Sequence, residues 1–393
     1  MSSSTLKKNK ADGALAAPNV KYDCLTCQID FPINRLHRDD DGVKSQRPPL
    51  VQRHEKSAIV ESTLSAWWKS PEAAQAQLAS CGRFLSLGPS PVNLSSSPPS
   101  LKEIRKRSAA VSPGGLYRPP DCNARHHAAI VVPYRKRPTH LRALLDHLHP
   151  LLQRQQIHYR IYVVEQSGSG TFNKGKLLNA GVREVVRDED WSCLIIHDVD
   201  LLAENDLNTY ACDACNPRHL AVAIDKFEYR LPYPQYFGGV VAVTPDQYRK
   251  MNGFSNQYWG WGREDDDFRV ALSGMKVVRP PVAIGRYKMI KHQRDRGNEE
   301  NPYNFEVLNR TELTWHSDGL NSVTYELLSK ERAAFYTHLI ISVGENPRPR
   351  LQEETATVRA AVALKKSGRL STHTSSSVWE KTPGRGFRRK PQP

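Results

Sequence analysis

No stretch of this 393-residue sequence stays apolar for the roughly 18 residues that a membrane-spanning helix needs. The opening "MSSSTLKKNKADGALAAPNV" also lacks the apolar segment of a signal peptide, so neither an anchor helix nor a leader is expected. Hydrophobic residues make up only 39% of the chain, low for a fully packed protein of this size, which predicts flanks without a core. There is no internal repeat. The pair "CLTC" at Cys24 and Cys27 has the spacing of half a zinc site, but it lies in a stretch that reads as disordered, so chance spacing is favoured.

What is abundant is positive charge, at a net +15. From Pro347 to Pro393 there are 11 Lys and Arg against 3 Asp and Glu, so much of the excess sits in the tail. A basic balance placed outside the part that looks folded argues against a nucleic-acid-binding function. The other cysteines, Cys81, Cys122, Cys193, Cys212 and Cys215, suit disulfides in an oxidising compartment. Two glycosylation sequons, "NLS" at Asn93 and "NRT" at Asn309, point the same way.

Residues 1–75 are polar and irregular, and "LGPSPVNLSSSPPS" (87–100) reads as linker, so order is expected from about "GGLYRPPDC". A clear alternation follows. "AAIVVPY", "YRIYVVEQ" and "CLIIH" read as strands. "THLRALLDHL" and "GKLLNAGVREVV" between them have helical spacing, with Pro150 expected to end or bend the first helix. This is the pattern of a parallel α/β sheet, which binds ligands at the carboxyl ends of its strands. The later part, up to residue 346, is rich in aromatics, Gly and Pro and reads as long functional loops.

Two segments lie at those strand ends. "HDVD" (197–200) carries two acids, Asp198 and Asp200, which suit either a divalent cation or an ordinary turn. "PYRKR" (133–137) offers Arg135 and Arg137, either as solvated charge or as a diphosphate site. "GTFNKGK" (170–176) imitates a phosphate-binding loop, but Leu177 stands where Ser or Thr must hold the metal, which excludes an ATP site. Met289 and His292 in "GRYKMIKH" are spaced by three, and by themselves read as core, since thioethers are poor ligands for hard ions. "YWGWGREDDDF" (258–268) sets two tryptophans against Glu264, Asp265, Asp266 and Asp267. Flat rings beside carboxylates suit a sugar, and crowded acids repel, so one with a raised pKa can act as a general base. The plainer reading is an acidic helix start in "EDDDFRVAL".

Together, "PYRKR", "FNKGKLLNAG", "HDVDLL", "LPYPQYFGGV", "NGFSNQYWGWGREDDDF", "GRYKMIKHQRDRGNEENP" and "SDGLNSVTYELL", in this order, closely resemble the β-1,4-galactosyltransferases of animals, from about Cys81 to Asn346. "PYPQYFGG", "TPDQY" and "GNEENP" look most like the type 3 branch. The resemblance implies an α/β fold of the GT-A type with disordered N- and C-terminal flanks. It implies a stem-like segment over 1–75, a Rossmann-like nucleotide-sugar half over 76–210, an acceptor half over 211–346 and a basic tail over 347–393. It implies manganese-dependent, inverting transfer of galactose from UDP-galactose to the 4-hydroxyl of terminal N-acetylglucosamine on glycoproteins or glycolipids. A GalNAc transferase, or an impaired sugar-binding homologue, is the alternative. Family members reside in the Golgi through an anchor helix that is not visible in this chain.

Residue by residue, the resemblance assigns Asp200, Met289 and His292 to the metal, which would overturn Met289 as core. It assigns Pro133, Arg135, Arg137, Phe172, Asn173, Lys174 and Asp198 to the donor, with Tyr236 beside C2 of the donor sugar as a gate against GalNAc. Asp265 is implied as the base and Glu264 as its neighbour on the donor galactose. Trp261 and Asp266 are implied to bind the acceptor, with Phe305 and Leu308 around its N-acetyl group, and 292–308 is implied to close as a lid. Cys81–Cys122 and Cys193–Cys212 are implied disulfides, leaving Cys215 unassigned. Three residues depart from the family pattern. Arg263 replaces a Gly, where a cation can depress the base's pKa or narrow the site. Lys174 replaces an Arg, losing a bidentate phosphate contact. Asn304 replaces a basic residue of the acceptor pocket.

Overall fold

A computed structural model describes residues 79–82, 88–90, 92, 98–266, 269–292 and 297–347. The "CLTC" pair, Asn93, the stem-like segment and nearly all of the basic tail lie outside these residues, and of Asp266 only the backbone is described. The elements below belong to one compact unit made of the described residues up to 168 and from 172 to 343.

The three strands read from the sequence form β2 (His127–Tyr134), β3 (His158–Gln166) and β4 (Cys193–His197), after a two-residue strand β1 (Leu116–Tyr117). Strand β2 pairs in parallel with both β3 and β4. The helices between them are α2 (Pro138–Arg154) and α3 (Lys174–Val185). Both faces of the sheet are covered, which is why "AAIVV" reads as an unbroken apolar run. Ala128, Ile130 and Val132 pack with Leu141, Leu144 and Leu148 of α2, whereas Ala129 and Val131 pack with Leu177 and Leu178 of α3. Helix α3 comes close because Gly181 has no side chain; a Cβ there would stand 2.8 Å from Val164 Cγ2.

One expectation needs correction and a second is narrowed. Order begins before residue 114, with helix α1 (Leu101–Arg107). Its signal was in the sequence: Ser100 and Glu103 form a reciprocal capping box, and Ile104 is the residue it buries. Of the two outcomes expected at Pro150, ending the helix is excluded, since the helix runs on to Arg154. An interior proline costs about 3 kcal/mol, but burying Leu151 and Leu152 completely returns about 2 kcal/mol each.

Later segments complete a mixed sheet. They supply β5 (Leu201–Ala203), β6 (Arg218–His219), β7 (Ala223–Ile224), β8 (Val240–Val243), β9 (Arg286–Met289), β10 (Glu326–Arg332) and β11 (Thr337–Ser342). The large sheet runs β10-β11-β3-β2-β4-β8-β6, with β1 on the start of β3, and β5-β9-β7 form a small second sheet. Strand β11 joins β3 in parallel, while β8 runs antiparallel to β4. The chain goes from β2 to β3 on one side and then to β4 on the other, so the strand order reverses at β2. Such a switch point opens a crevice at the carboxyl ends of the strands, here after Tyr134 and His197. The disulfides Cys81–Cys122 and Cys193–Cys212 are both formed, and Cys215 belongs to neither.

Candidate active site

Four segments meet at that crevice. The first leaves β2. Pro133 is in the strand, Arg135 follows it with its guanidinium 4.9 Å over the Phe172 ring, and Arg137 precedes α2. The second opens α3, where Asn173 is the N-cap. Its Oδ1 accepts from the Lys176 amide at 2.8 Å and its Nδ2 donates to the Asn256 carbonyl at 2.8 Å. The Asn173 side chain is therefore committed to holding the helix start, and it delivers Lys174 into the crevice.

The third segment is "DVD". Strand β4 ends at His197, so Asp198 and Asp200 sit in the turn that follows it. Asp198 faces Lys174, with Nζ 3.1 Å from its Oδ1. Asp200 faces Arg137 at 3.3 Å and His292 at 2.9 Å through the same oxygen. Burial raises the Asp200 carboxyl, but the bond from His292 and the charge of Arg137 outweigh it and hold the group below the usual carboxylate range. Met289 ends β9 directly opposite Leu201, and the Ile290 amide donates to the Asp200 carbonyl at 2.8 Å. The β5–β9 pairing is thus what brings Met289 beside Asp200.

The fourth segment is the aromatic and acidic stretch. The two tryptophans do not act together: Trp259 is 5% exposed and belongs to the core, whereas Trp261 is 48% exposed and presents an open face. Glu264–Asp266 form a single 3-10 turn. Lys174 Nζ is 3.2 Å from Asp265 Oδ1 and 3.7 Å from Glu264 Oε1. Burial pushes the Asp265 carboxyl up to about 7; Lys174 opposes that shift, and Glu264 and Asp198 add to it. The Asp265 side chain keeps 24% of its surface exposed, which leaves it reachable by a substrate hydroxyl. Lys174 is a cation that faces Asp265 directly. Arg263 has a φ of +77°, in the left-handed region that glycine favours, and its guanidinium lies 5.8 Å over the Phe305 ring.

Residues 297–305 strap this stretch in place. Trp261 donates its amide to the Glu299 carbonyl at 2.9 Å, and Asn301 Nδ2 donates to the Trp259 carbonyl at 2.7 Å. Asn304 is buried, and its Nδ2 donates to the Gly262 carbonyl at 2.8 Å. It opens helix α4 (Asn304–Asn309), which carries Phe305, 54% exposed, and half-buried Leu308 one turn apart. Asn309 is exposed at its end. Residues 293–296 of the expected lid lie outside the described residues.

Sequence reasoning missed one contributor and named another without its carboxylate partners. Gly238 leaves room for the base: a Cβ there would stand 2.5 Å from Asp265 Oδ2 and 2.9 Å from Tyr236 Cε2. Lys174 was read as a phosphate contact, yet it is ringed by carboxylates. Tyr236 is half-buried between the His219, Phe227 and Tyr233 rings. Burial, with Asp265 and Asp198 close by, raises its phenol far above the ordinary range. A separate cleft of about 570 Å³ at the carboxyl end of α3, lined by Val182, Trp191 and Tyr248 among others, contains none of these groups.

Comparison with known proteins agrees with this architecture. Residues 83–213 match the family model of the N-terminal region of glycosyl transferase group 7. Residues 218–293 match a model described as the N-terminal domain of galactosyltransferase. The chain is 61% identical over 261 residues to β-1,4-galactosyltransferase 3 of Cricetulus griseus, covering 66% of each chain. It is 57% identical over 296 residues to that of Rattus norvegicus, covering 74% of this chain and 75% of the relative. The match thus spans about two thirds to three quarters of the length of these curated relatives. Among solved structures, the catalytic domain of Drosophila β-1,4-galactosyltransferase 7 in complex with xylobiose aligns with a TM-score of 0.50 and 28% identity, over 57% of this chain and 97% of that one. A mutant of the same fly protein, solved with manganese, UDP-Gal and xylobiose, aligns equally well. With its long ordered motifs, its mixed α/β sheet and relatives at about 60% identity, this chain belongs to the β-1,4-galactosyltransferase family of glycosyltransferase group 7.

Proposed function

We propose that the protein is a manganese-dependent galactosyltransferase that moves galactose from UDP-galactose to the 4-hydroxyl of a terminal N-acetylglucosamine, inverting the anomeric centre. The observation that carries this reading is Asp265, a reachable carboxylate raised to about 7, which Lys174 joins to Asp198, two residues before the Asp200 that His292 meets. A base with a pKa near the working pH is what activation of a sugar hydroxyl needs.

The residues present fit the metal. Asp200 is ionised, and His292 offers an imidazole 2.9 Å away. Among the described residues no three His, Cys, Asp or Glu side chains converge as a cage, so the third protein ligand would be Met289, which the small sheet places beside Asp200. When bound, manganese supplies Lewis-acid stabilisation of the charge that develops on the leaving diphosphate. Arg135 and Arg137 would hold that diphosphate from the end of β2. Trp261 would stack on the acceptor ring, with Phe305 and Leu308 against its N-acetyl group. Asp265 would take the proton from the acceptor hydroxyl as its oxygen attacks the anomeric carbon from the face opposite the departing UDP. One displacement without an enzyme nucleophile inverts the configuration.

The deciding assay supplies purified protein with UDP-galactose or UDP-GalNAc, manganese and N-acetylglucosamine. Galactose transfer in a β-1,4 linkage is expected. GalNAc transfer at an equal rate, or donor binding without transfer, would replace this reading. Disulfides Cys81–Cys122 and Cys193–Cys212 suit an oxidising lumen and support a Golgi location. No helix among the described residues is long and apolar enough to cross a membrane.

The crowding at Gly238 gives a further prediction. In Gly238→Ala the new methyl group overlaps the free end of a flexible side chain, so Asp265 gives way while the backbone stays. Displacing the base by about 1 Å is expected to lower kcat by roughly 10- to 100-fold. The melting temperature should hardly change. Undiminished turnover in a folded variant would show that Asp265 does not need this position.

A further inference from the structure

We infer that Lys174 is a positioning residue for the base Asp265, fixing it against Glu264 and Asp198, rather than a ligand of the donor diphosphate. An ammonium has three N–H donors and no other polar capacity. Around Lys174 Nζ stand Asp198 Oδ1 at 3.1 Å, Asp265 Oδ1 at 3.2 Å and Glu264 Oε1 at 3.7 Å. Asp198 and Asp265 accept hydrogen bonds from the ammonium and Glu264 stands at ion-pair distance, so the charge is directed at the carboxylates. The side chain is 16% exposed, so water competes little for these contacts. Its backbone is equally fixed, because Lys174 is the first residue of α3, behind the buried cap Asn173. The Arg that the family usually carries here would add a planar fork reaching beyond the carboxylates. Lys concentrates one charge at their centre.

The consequence concerns proton transfer from the acceptor hydroxyl, so it rests on the proposed transferase reading. The described charged and titratable groups facing Asp265 are Lys174 from α3, Asp198 from the turn after β4, Glu264 from its own turn and Tyr236 from the loop before β8. Lys174 is the cation among them. Removing it leaves Asp265 among like charges and a neutral phenol, which makes its proton harder to lose.

The test compares wild type with Lys174→Met and Lys174→Arg by steady-state kinetics across pH. Lys174→Met is expected to lower kcat at pH 7 by roughly 10- to 100-fold, with the KM for UDP-galactose little changed. Its acid limb should move up by about one pH unit, and Lys174→Arg should restore the limb. A raised donor KM with kcat and the limb unchanged would assign Lys174 to the diphosphate and overturn the inference. Should Lys174→Met fail to fold, Lys174→Gln removes the same charge and is held to the same outcomes. A readout independent of turnover is the carboxyl carbon-13 titration of Asp265, assigned by its loss in Asp265→Asn. An upward shift in the neutral variants supports the inference even if wild type transfers no galactose, a result that would sink only the functional reading. An unshifted titration sinks the inference itself.

Discussion

Asp265→Asn should lower kcat by roughly 100- to 10,000-fold, the range expected when a general base is removed. Asn matches Asp in shape, and Lys174 keeps its contact with Asp198 at 3.1 Å, so the loss should appear in kcat rather than in donor affinity. The pH profile makes the prediction specific. Burial, reinforced by Glu264 and Asp198 and opposed by Lys174, places the Asp265 carboxyl at about 7. The base form therefore exists above that pH, and kcat/KM of the wild type should fall about tenfold per pH unit below it. In Asp265→Asn that limb should vanish from the residual rate. Stability should respond with the opposite sign from a salt-bridged acid. A carboxyl whose folded pKa exceeds its unfolded value of about 3.9 binds a proton more tightly when folded, so its ionisation disfavours the fold at high pH. The Asn variant should then melt slightly higher than wild type at pH 8, with the difference closing as pH falls from 7 towards 4. Retained activity with an unchanged acid limb would remove Asp265 from the chemistry.

His292→Ala is expected to be the second severe substitution, this time through the metal. His292 Nε2 stands 2.9 Å from the Asp200 oxygen that Arg137 also approaches, at 3.3 Å. Without the imidazole, Arg137 remains as the positive partner of Asp200, so the buried carboxylate is not left bare and the protein should still fold. The missing donor cannot be replaced so easily. Changing residues that only support a metal ligand costs about 10- to 100-fold in affinity, so deleting a ligand should exceed roughly 100-fold. Manganese binding followed by electron paramagnetic resonance, alongside galactose transfer at rising manganese, measures this directly. Transfer should be lost at ordinary metal concentrations and return partly at high ones. An unaltered manganese dependence would place the metal elsewhere.

The sequence by itself determined the central layers of the molecule. Strand and helix periods are local properties, so "AAIVVPY", "YRIYVVEQ" and "CLIIH" announced three strands and the segments between them two helices, and the structure has all five. Even the helix that was missed, at Leu101–Arg107, had its signal in the Ser100–Glu103 capping box. The long motifs carried the family because many residues recur there in a fixed order. Spacing alone did not gather the site. Asp200 and His292 are 92 residues apart, and nothing periodic relates them. The tertiary structure decided what those residues face. It buried Trp259 and exposed Trp261, although both sit in the same short stretch. It turned Arg263 towards Phe305 and put Lys174 against Asp265, 91 residues away. It also made Gly238 a neighbour of the base. The physical reason is that charge interactions and steric overlap depend on distance in space. Where the crevice closes, that distance is set by sheet order, by the β5–β9 pairing and by the Asn304 strap, none of which leaves a local pattern in the chain.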